Sequence, residues 1–412
     1  MGQGPNGRSV LSLFSGAGGL DVGLETAGFE PVLCVEIDED SRETLRLNRP
    51  GWRLADPGDI HALEPTQLLR QAAIKPRALT LLAGGTPCQP FSKSSYWFNG
   101  DAPRLRDPRA GTLHAYLDVV EATLPQILLL ENVKGLAFDG KDEGLRFLER
   151  GLRRINKEHR TSYAPQVITL NAADYGVPQI RERVFVLASI DGRHIEMPES
   201  SHGDGRNRQR FLTAWDAIGD LDGDSWPKEL DLSGRWAGLL PSIPEGQNYL
   251  WHTPRNGPKG GEPLFGWRTR FWSFLLKLAK RQPSWTIQAY PGPATGPFHW
   301  KSRLLSIEEM CRLQTFPREY TIVGSRRSAH RQVGNAVPSA IGEFLGLEVR
   351  RQLLGERVRK ELRLLPEHRS DCPPPERVAA VPREYLKLRA RHRDHPGTGH
   401  GPAARLRERA EA

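Results

Sequence analysis

Cysteine is scarce in this chain, with four copies in 412 residues, and none of the four lies in Cys-x-x-Cys spacing. The sequence therefore predicts neither a zinc site nor a disulfide framework, and it favours a reducing compartment such as the cytoplasm. No apolar run approaches the length of a membrane span, and the N-terminus lacks the apolar segment of a signal peptide. We expect a protein without a bound metal and without a membrane partner.

Acidic residues are outnumbered by basic ones, so the net charge is +9 and the isoelectric point is near 9.5. This balance suits a polyanionic partner such as DNA. Part of the excess lies in residues 355–412, which carry 14 Lys and Arg against 9 Asp and Glu. Their weak apolar periodicity predicts a partly ordered, basic C-terminal tail, which either contacts phosphates or is a solvated segment without a role.

The first half of the chain alternates strand and helix patterns. Strands are predicted at residues 10–14, 32–36, 79–83, 127–130, 167–170 and 184–189, and helices at 20–27, 40–48 and 113–124. Such alternation predicts a doubly wound, Rossmann-like α/β sheet whose ligands bind at the carboxyl ends of the strands. Helical spacing returns at 304–313 and 336–347.

Residues 191–301 have a different texture. They hold eight of the ten tryptophans, together with many Gly, Pro and Arg residues and little regular periodicity. We interpret them as a separate, loop-rich domain inserted into the chain. The first domain then comprises residues 8–190 and 302–354, and the basic tail follows at 355–412.

A glycine-rich turn follows the first predicted strand, where residues 13–20 read LFSGAGGL. Glycine lets the backbone approach a ligand closely, but Asp21 stands where a dinucleotide fingerprint has its third glycine. Glu36 ends the second strand, where a carboxylate can accept both hydroxyls of a ribose. Asp59 can accept from an adenine amino group while Ile60 packs on the ring. These features predict an adenosine site without a pyrophosphate requirement, which S-adenosylmethionine fits better than NAD. The candidate contacts from this part of the chain are Phe14, Gly16, Gly18, Gly19, Leu20, Glu36, Ile37, Asp59 and Ile60.

Cys88 is the candidate nucleophile, because it lies in the sequence GGTPCQPFS at 84–92, directly after a buried strand. The Gly and Pro residues predict a sharp turn that lifts the thiol off the strand end. Glu131 ends the most apolar strand, where burial would raise the pKa of its carboxyl and suit it to general acid catalysis. Arg181 and Arg183 alternate at the start of the last strand, so one can reach the site while the other pairs elsewhere.

Together these motifs resemble those of the DNA cytosine-5 methyltransferase family. The resemblance covers about residues 8–190 and 302–350. It rests on six motifs in family order: FSGAGG at 14–19, GGTPCQPFS at 84–92, ENV at 131–133, QIRER at 179–183, RLQTFP at 312–317 and QVGNAVP at 332–338. Two positions depart from the common pattern, since Ser12 stands where many members have Asp and Ser339 where a second Pro is common. Neither position carries chemistry.

The resemblance implies a methyl transfer from S-adenosylmethionine to C5 of a flipped-out cytosine in a short duplex DNA sequence. Cys88 would attack C6, Glu131 would protonate or hydrogen-bond N3, and Arg183 would hold the base. The last of the six motifs, QVGNAVP at 332–338, is called the closing motif here, and it would complete the cofactor site through Asn335 and Val337.

The same resemblance gives roles to two long segments. Residues 191–301 would be the target recognition domain, and residues 92–111 a loop that closes over the thiol. The compact length suggests the modification enzyme of a bacterial restriction-modification system. We expect a monomer in the cytoplasm, associated with the nucleoid through DNA, with a cognate restriction endonuclease in the same system.

Two other functions remain open from the sequence. Cytosine-5 methylation of RNA is disfavoured, because the Cys-Phe-Thr signature of the RNA-directed branch of the family does not occur. A catalytically inactive DNA-binding regulator is disfavoured, because Cys88, Glu131 and Arg183 are all present. Amino-group methylation lacks its Asp-Pro-Pro-Tyr or Asn-Pro-Pro-Tyr motif.

Overall fold

A computed structural model describes residues 7–86, 111–132, 143–254, 260–265, 272–292 and 294–389. Its strands are β1 (Ser9–Leu13), β2 (Glu30–Val35), β3 (Leu81–Gly85), β4 (Ile127–Asn132), β5 (Gln166–Asn171), β6 (Gln179–Ile180), β7 (Glu182–Ser189) and β8 (Ser284–Trp285). Six of them form one sheet in the order β2-β1-β3-β4-β7-β5. Strands β1 to β4 are parallel, and β7 is antiparallel to both β4 and β5. The predicted doubly wound α/β class is confirmed.

Helices cover both faces of this sheet. They are α1 (Gly19–Thr26), α2 (Glu39–Asn48), α3 (Pro65–Ala72), α4 (Gly111–Thr123), α5 (Glu143–His159), α6 (Ala214–Ile218), α7 (Ile307–Leu313), α8 (Arg326–Asn335), α9 (Ser339–Gln352) and α10 (Arg383–Leu386). Because side chains alternate along a strand, Leu128 and Leu130 join the core under α3, α4 and α5, whereas Ile127 and Leu129 join the core under α1 and α9. No helix of the described chain is both long and apolar enough to traverse a bilayer.

Helix α9 brings the C-terminal part of the first domain back against α1. The contact is close enough to exclude a side chain, since a Cβ on Gly23 would lie 2.1 Å from the Ser339 carbonyl oxygen. The sequence predicts one helix over 336–347, but the structure ends α8 at Asn335 and starts α9 at Ser339. Pro338 separates them because it has no N–H to continue a helix. The break lets the closing motif turn past the glycine-rich loop.

Residues 191–301 contain little regular structure, as the sequence suggests. Their described part holds α6, several short 3-10 turns and β8, which pairs with β6 of the first domain. One hydrophobic core forms around Leu239, Tyr249, Phe265 and Phe298, and Tyr385 from outside this region joins it. Several aromatic residues of this region therefore belong to hydrophobic cores.

Residues 355–389 run along the surface past α9 and past residues 191–301, and we call this segment the C-terminal strap. The buried Glu343 carboxylate of α9 accepts hydrogen bonds from the strap N–H groups of Arg363, at 2.9 Å, and Leu364, at 3.0 Å. In the inserted region, the buried ammonium of Lys280 lies 2.7 Å from a carboxylate oxygen of Glu376. Tyr385 enters the second core, where its hydroxyl donates to the Arg235 carbonyl oxygen at 2.9 Å. The strap therefore supplies partners to buried charges in both domains.

Truncation after Leu354 should destabilise the protein strongly, because it removes the strap donors to Glu343. Leaving a buried charge without its partners costs about 3–5 kcal/mol, which for a chain of this length corresponds to a fall in Tm of roughly 3–6 °C. Thermal unfolding followed by circular dichroism measures the change. Truncation after Arg389 is the control and should keep Tm within about 2 °C. An unchanged Tm in the variant that ends at Leu354 would show that the strap contacts do not stabilise the protein.

Candidate active site

A cavity of about 410 Å³ lies at the carboxyl ends of β1 to β4. Strand β1 stands between β2 and β3 in the sheet. The connection after β1 leads to its neighbour on one side, and the connection after β2 leads to the neighbour of β1 on the other side. This reversal of strand order makes the edge a topological switch point. All of the predicted site residues that the structure describes line the cavity, with Gly18 as the exception. They are Phe14, Gly16, Gly19, Leu20, Glu36, Ile37, Asp59, Ile60, Glu131, Arg183, Asn335 and Val337.

The glycine-rich loop needs its glycines for two different reasons. At Gly19 a Cβ would lie 2.3 Å from the Val337 carbonyl oxygen. The closing motif can therefore pack on the loop only because residue 19 has no side chain. Gly18 has φ of 78° and is the residue before α1, and a Cβ there would lie 2.8 Å from Leu45. Gly18 therefore allows the backbone turn before α1, while Gly16 and Gly19 line the cavity.

Glu36 is held in place by the backbone of its neighbours. One carboxylate oxygen accepts from the Gly16 N–H at 2.7 Å, and the other accepts from the Asp38 N–H at 2.8 Å. Burial raises the pKa of this carboxyl, and the two N–H donors oppose the rise. Each oxygen keeps a further lone pair for a ligand hydroxyl. Beside it, the Ile37 side chain is 68% exposed, which leaves an apolar surface for a flat ring.

Asp59 and Ile60 form a second wall of the cavity. The Asp59 carboxylate accepts from the His61 N–H at 2.9 Å, which caps a single 3-10 turn, and Ile60 is buried behind it. Asn335 and Val337 reach the same cavity from the end of α8 and the segment that follows. Residues far apart in the sequence thus meet at one pocket, as predicted.

Glu131 and Arg183 form an ion pair at the edge of the cavity, with Nε of Arg183 2.9 Å from Oε1 of Glu131. The antiparallel direction of β7 explains the meeting, because it places the start of β7 beside the end of β4. Burial raises the pKa of the Glu131 carboxyl, although the charges of Arg183 and Arg181 oppose the rise. A carboxyl with these surroundings can hold a proton and remain oriented.

Cys88 and the predicted closing loop at 92–111 lie outside the described residues, apart from the start of α4 at Gly111. The chain leading to the thiol is described as far as Thr86, which lines the cavity. Its hydroxyl accepts from the side-chain amide of Asn132 at 2.8 Å. This bond joins the end of β3 to the end of β4, so the segment that carries Cys88 starts beside Glu131.

Arg181 has a different role from Arg183, which sequence reasoning could not assign. Its guanidinium is fully buried and donates to the carbonyl oxygens of Gly334 at 2.6 Å, Ala336 at 2.9 Å and Ile287 at 3.0 Å. It therefore fixes the backbone on both sides of Asn335. The repeated arginine in the sequence indicated that one of the two side chains reaches the site. Which way the Arg181 side chain points depends on the break between β6 and β7.

Asp21 lines the cavity as well, and sequence reasoning noted it only as a departure from a dinucleotide fingerprint. The residue is 1% exposed, and its carboxyl lies close to the Ser12 hydroxyl. Burial raises the pKa of this carboxyl to about 7, against a lowering by the nearby Ser12 hydroxyl. The negative charges of Glu36 and Glu25 raise it further.

His299 and Trp300 are buried where residues 191–301 pack against the rest of the chain. The Trp300 indole N–H donates to Asp222 at 3.0 Å. Burial lowers the pKa of His299 well below its usual range, so this imidazole is neutral. Both residues therefore belong to the interior of the protein.

Comparison with known proteins agrees with this geometry. The chain matches a family model described as C-5 cytosine-specific DNA methylase over residues 8–351. It is 36% identical to the type II methyltransferase M.SacI of Streptomyces achromogenes, over 84% of this chain and 93% of that protein. It is 32% identical to the type II methyltransferase M.NgoFVII of Neisseria gonorrhoeae, over 81% of this chain and 84% of that protein.

Solved structures show the same fold. A methyltransferase of Entamoeba histolytica, EhMeth, superposes with a TM-score of 0.57 at 15% identity, covering 84% of this chain and 98% of that chain. A mutant of Spodoptera frugiperda DNMT2 gives a TM-score of 0.56 at 16% identity, covering 83% of this chain and 99% of that chain.

Proposed function

The chain belongs to the C-5 cytosine-specific DNA methylase family, and we propose that it methylates C5 of a flipped-out cytosine in a specific short duplex DNA sequence. The observation that carries this proposal is the buried Glu131–Arg183 pair at the edge of the switch-point cavity. An acid beside the cofactor pocket is what activation of a cytosine ring requires. The membership itself and the type II relatives favour DNA as substrate over RNA and over a purely regulatory role.

The cavity suits S-adenosylmethionine as the methyl donor. Glu36 presents an oriented carboxylate, Ile37 an apolar surface, and Asp59 an acceptor, which match a ribose, an adenine ring and its amino group. Asp21 adds a further buried carboxyl to the lining of the cavity. When bound, S-adenosylmethionine supplies an activated methyl group. The residues of the chain then orient the target base and exclude water.

Cys88 starts the reaction on the cytosine in this proposal. Aromatic C5 is a poor nucleophile, and addition of the thiolate to C6 converts the ring into an enamine whose C5 can accept a methyl group. The protonated carboxyl of Glu131 donates to N3 and neutralises the charge that the addition places on the ring. Loss of the C5 proton and departure of Cys88 then restore the aromatic ring.

Arg183 keeps the acid in position. Its Nε lies 2.9 Å from one oxygen of Glu131, and its Nη1 donates to the Glu182 carbonyl oxygen at 2.8 Å. The guanidinium is thus fixed at two points, which leaves its other N–H groups for the base or a phosphate.

The setting of the enzyme is also proposed from its relatives. M.SacI and M.NgoFVII are type II methyltransferases, and we propose that this chain is likewise the modification enzyme of a restriction-modification system. A cognate endonuclease would then belong to the same system. We further propose a monomer that acts in the cytoplasm on nucleoid DNA, with residues 191–301 recognising the target.

Transfer of tritium-labelled methyl groups tests the substrate class. Purified protein should label bacterial duplex DNA and leave ribosomal and transfer RNA at background. The label should appear in 5-methylcytosine after hydrolysis of the DNA. Label in RNA alone would replace the proposal with the RNA alternative, and label in neither would favour a regulator.

A further inference from the structure

The proposed adenosine contacts on one side of the cavity come from two separate loops. Residues 36–38 follow β2, residues 58–60 lead into the 3-10 turn that Asp59 caps, and both loops line the cavity. Backbone hydrogen bonds join the chain just before them, since the Ala55 N–H donates to the Cys34 carbonyl oxygen at 2.9 Å. Within the part of the chain that the structure describes, no backbone hydrogen bond links the two loops directly. Their separation therefore depends on side-chain contacts.

Arg42 of α2 connects the two loops from behind the cavity wall. Its Nη1 donates to the Glu36 carbonyl oxygen and to the Ala55 carbonyl oxygen, both at 3.0 Å. The residue is buried and does not itself line the cavity. One nitrogen thus holds the backbone that carries the proposed ribose acceptor, Glu36, and the segment that leads to the proposed adenine acceptor, Asp59.

Gly58 shows how closely the loops approach each other at this point. A Cβ on Gly58 would lie 2.2 Å from the Glu36 carbonyl oxygen and 2.6 Å from Nη1 of Arg42. The second loop can therefore reach the first only because residue 58 has no side chain. Arg42 and Gly58 together favour one short separation.

The separation of the loops matters because an adenosine would use both of them at once. In the proposed function Glu36 accepts from the ribose hydroxyls and Asp59 accepts from the adenine amino group. The base and the sugar are linked by a single bond, so both acceptors are satisfied together only over a narrow range of separations. Loops that are already held at that separation do not have to be ordered when the ligand binds.

We infer that Arg42 is a positioning residue for the methyl donor, which fixes the separation of Glu36 and Asp59 and so makes the cavity select an adenine base. This inference rests on the proposed function. Because Arg42 lies behind the wall, it acts through the two acceptors and does not touch the ligand. Its effect belongs to the affinity for the donor and to the choice of base.

Arg42→Met tests the inference, because it removes both donated hydrogen bonds and keeps an unbranched apolar stem. S-adenosylhomocysteine carries the same adenosine as the methyl donor, and titration calorimetry should show that its Kd rises roughly tenfold, the effect of one charge-assisted hydrogen bond. S-inosylhomocysteine has an oxygen in place of the adenine amino group, so Asp59 contributes little to its binding. Its Kd should rise by less than about threefold, and the preference for the adenosyl ligand should therefore fall.

Arg46→Met is the matched control. Arg46 lies one turn further along α2 and shares the partner Glu39 with Arg42. Its hydrogen bonds go to Glu39 and Glu43, both on α2, and it does not line the cavity. This variant should keep both dissociation constants within about twofold of the wild type. Arg42→Lys is the rescue, because its one nitrogen can donate to both carbonyl oxygens, and the preference should return to within about threefold of the wild type.

Gly58→Ala approaches the same separation from the other loop and keeps Arg42 in place. The added Cβ forces the loops apart, so the preference for the adenosyl ligand should fall as it does in Arg42→Met. Thermal unfolding of each variant shows that it is folded at the temperature of the titration. A wild-type preference in folded Gly58→Ala would contradict the inference.

Two further results would overturn the inference while leaving the proposed function intact. Equal weakening of both ligands in folded Arg42→Met would show that the residue supports the fold without setting the choice of base. Unchanged binding of both ligands would show that the separation of the loops does not depend on Arg42. If the wild-type protein binds neither ligand, the proposed cofactor itself fails, and the inference fails with it.

Discussion

Cys88→Ala abolishes methyl transfer, with an expected loss of roughly 10⁴-fold or more in kcat. Without a thiolate to add at C6, the target C5 has too little electron density to attack the methyl donor. Binding of the duplex should survive, because the variant removes one sulfur atom and leaves every charged side chain in place. Methyl incorporation and electrophoretic mobility shifts on the same preparation separate the two effects.

A second cysteine provides the control for this result. Cys372 lies in the C-terminal strap, where burial raises the pKa of its thiol, and it does not line the cavity. Cys372→Ala should keep kcat within about twofold of the wild type. A duplex with 5-fluorocytosine at the target adds a positive test, since the fluorine cannot leave as a proton. Wild-type protein should remain covalently attached, and an active Cys88→Ala variant would contradict the assigned nucleophile.

Glu131→Gln should lower kcat by roughly 10²–10³-fold, because the amide cannot pass a proton to N3. Burial raises the pKa of the Glu131 carboxyl, so the active protonated form is lost as the pH rises through that raised value. The wild-type enzyme should therefore lose kcat on the alkaline side, and the variant should lack this limb. Single-turnover rates across a pH series measure both effects.

The neighbouring acid Glu182 is the control for Glu131. Glu182 is exposed at the start of β7 and belongs to the same edge of the sheet. Glu182→Gln should keep both the rate and the pH profile of the wild type. A Glu131→Gln variant that retains full activity would contradict proton donation from this residue.

Much of the fold followed from local patterns in the sequence. The buried strands are short apolar runs between turn residues, so the predicted 127–130 and 184–189 lie within β4 and β7. The direction of β7 did not follow, because apolar content does not tell parallel from antiparallel pairing. That direction decides the site, since a parallel β7 would carry Arg183 to the opposite edge from Glu131.

The site was predictable where its residues belong to motifs and unpredictable where distant packing decides. Glu36 and Asp59 follow recognisable elements, and both line the cavity. No pattern in the sequence marks Asp21, because its burial depends on packing against a segment about 300 residues later. In that segment the Tyr320 hydroxyl donates to the Ala17 carbonyl oxygen at 2.7 Å. The strap was likewise invisible, since its partners Glu343 and Lys280 lie in separate domains.

The proposed activity is methylation of cytosine C5 in a specific DNA sequence. Bisulfite sequencing of plasmid DNA from cells that express the protein tests it most directly, with cells that express Cys88→Ala as the comparison. We expect unconverted cytosines within one recurring short sequence in the wild-type sample and full conversion in the variant sample. Full conversion in both samples would contradict the claim.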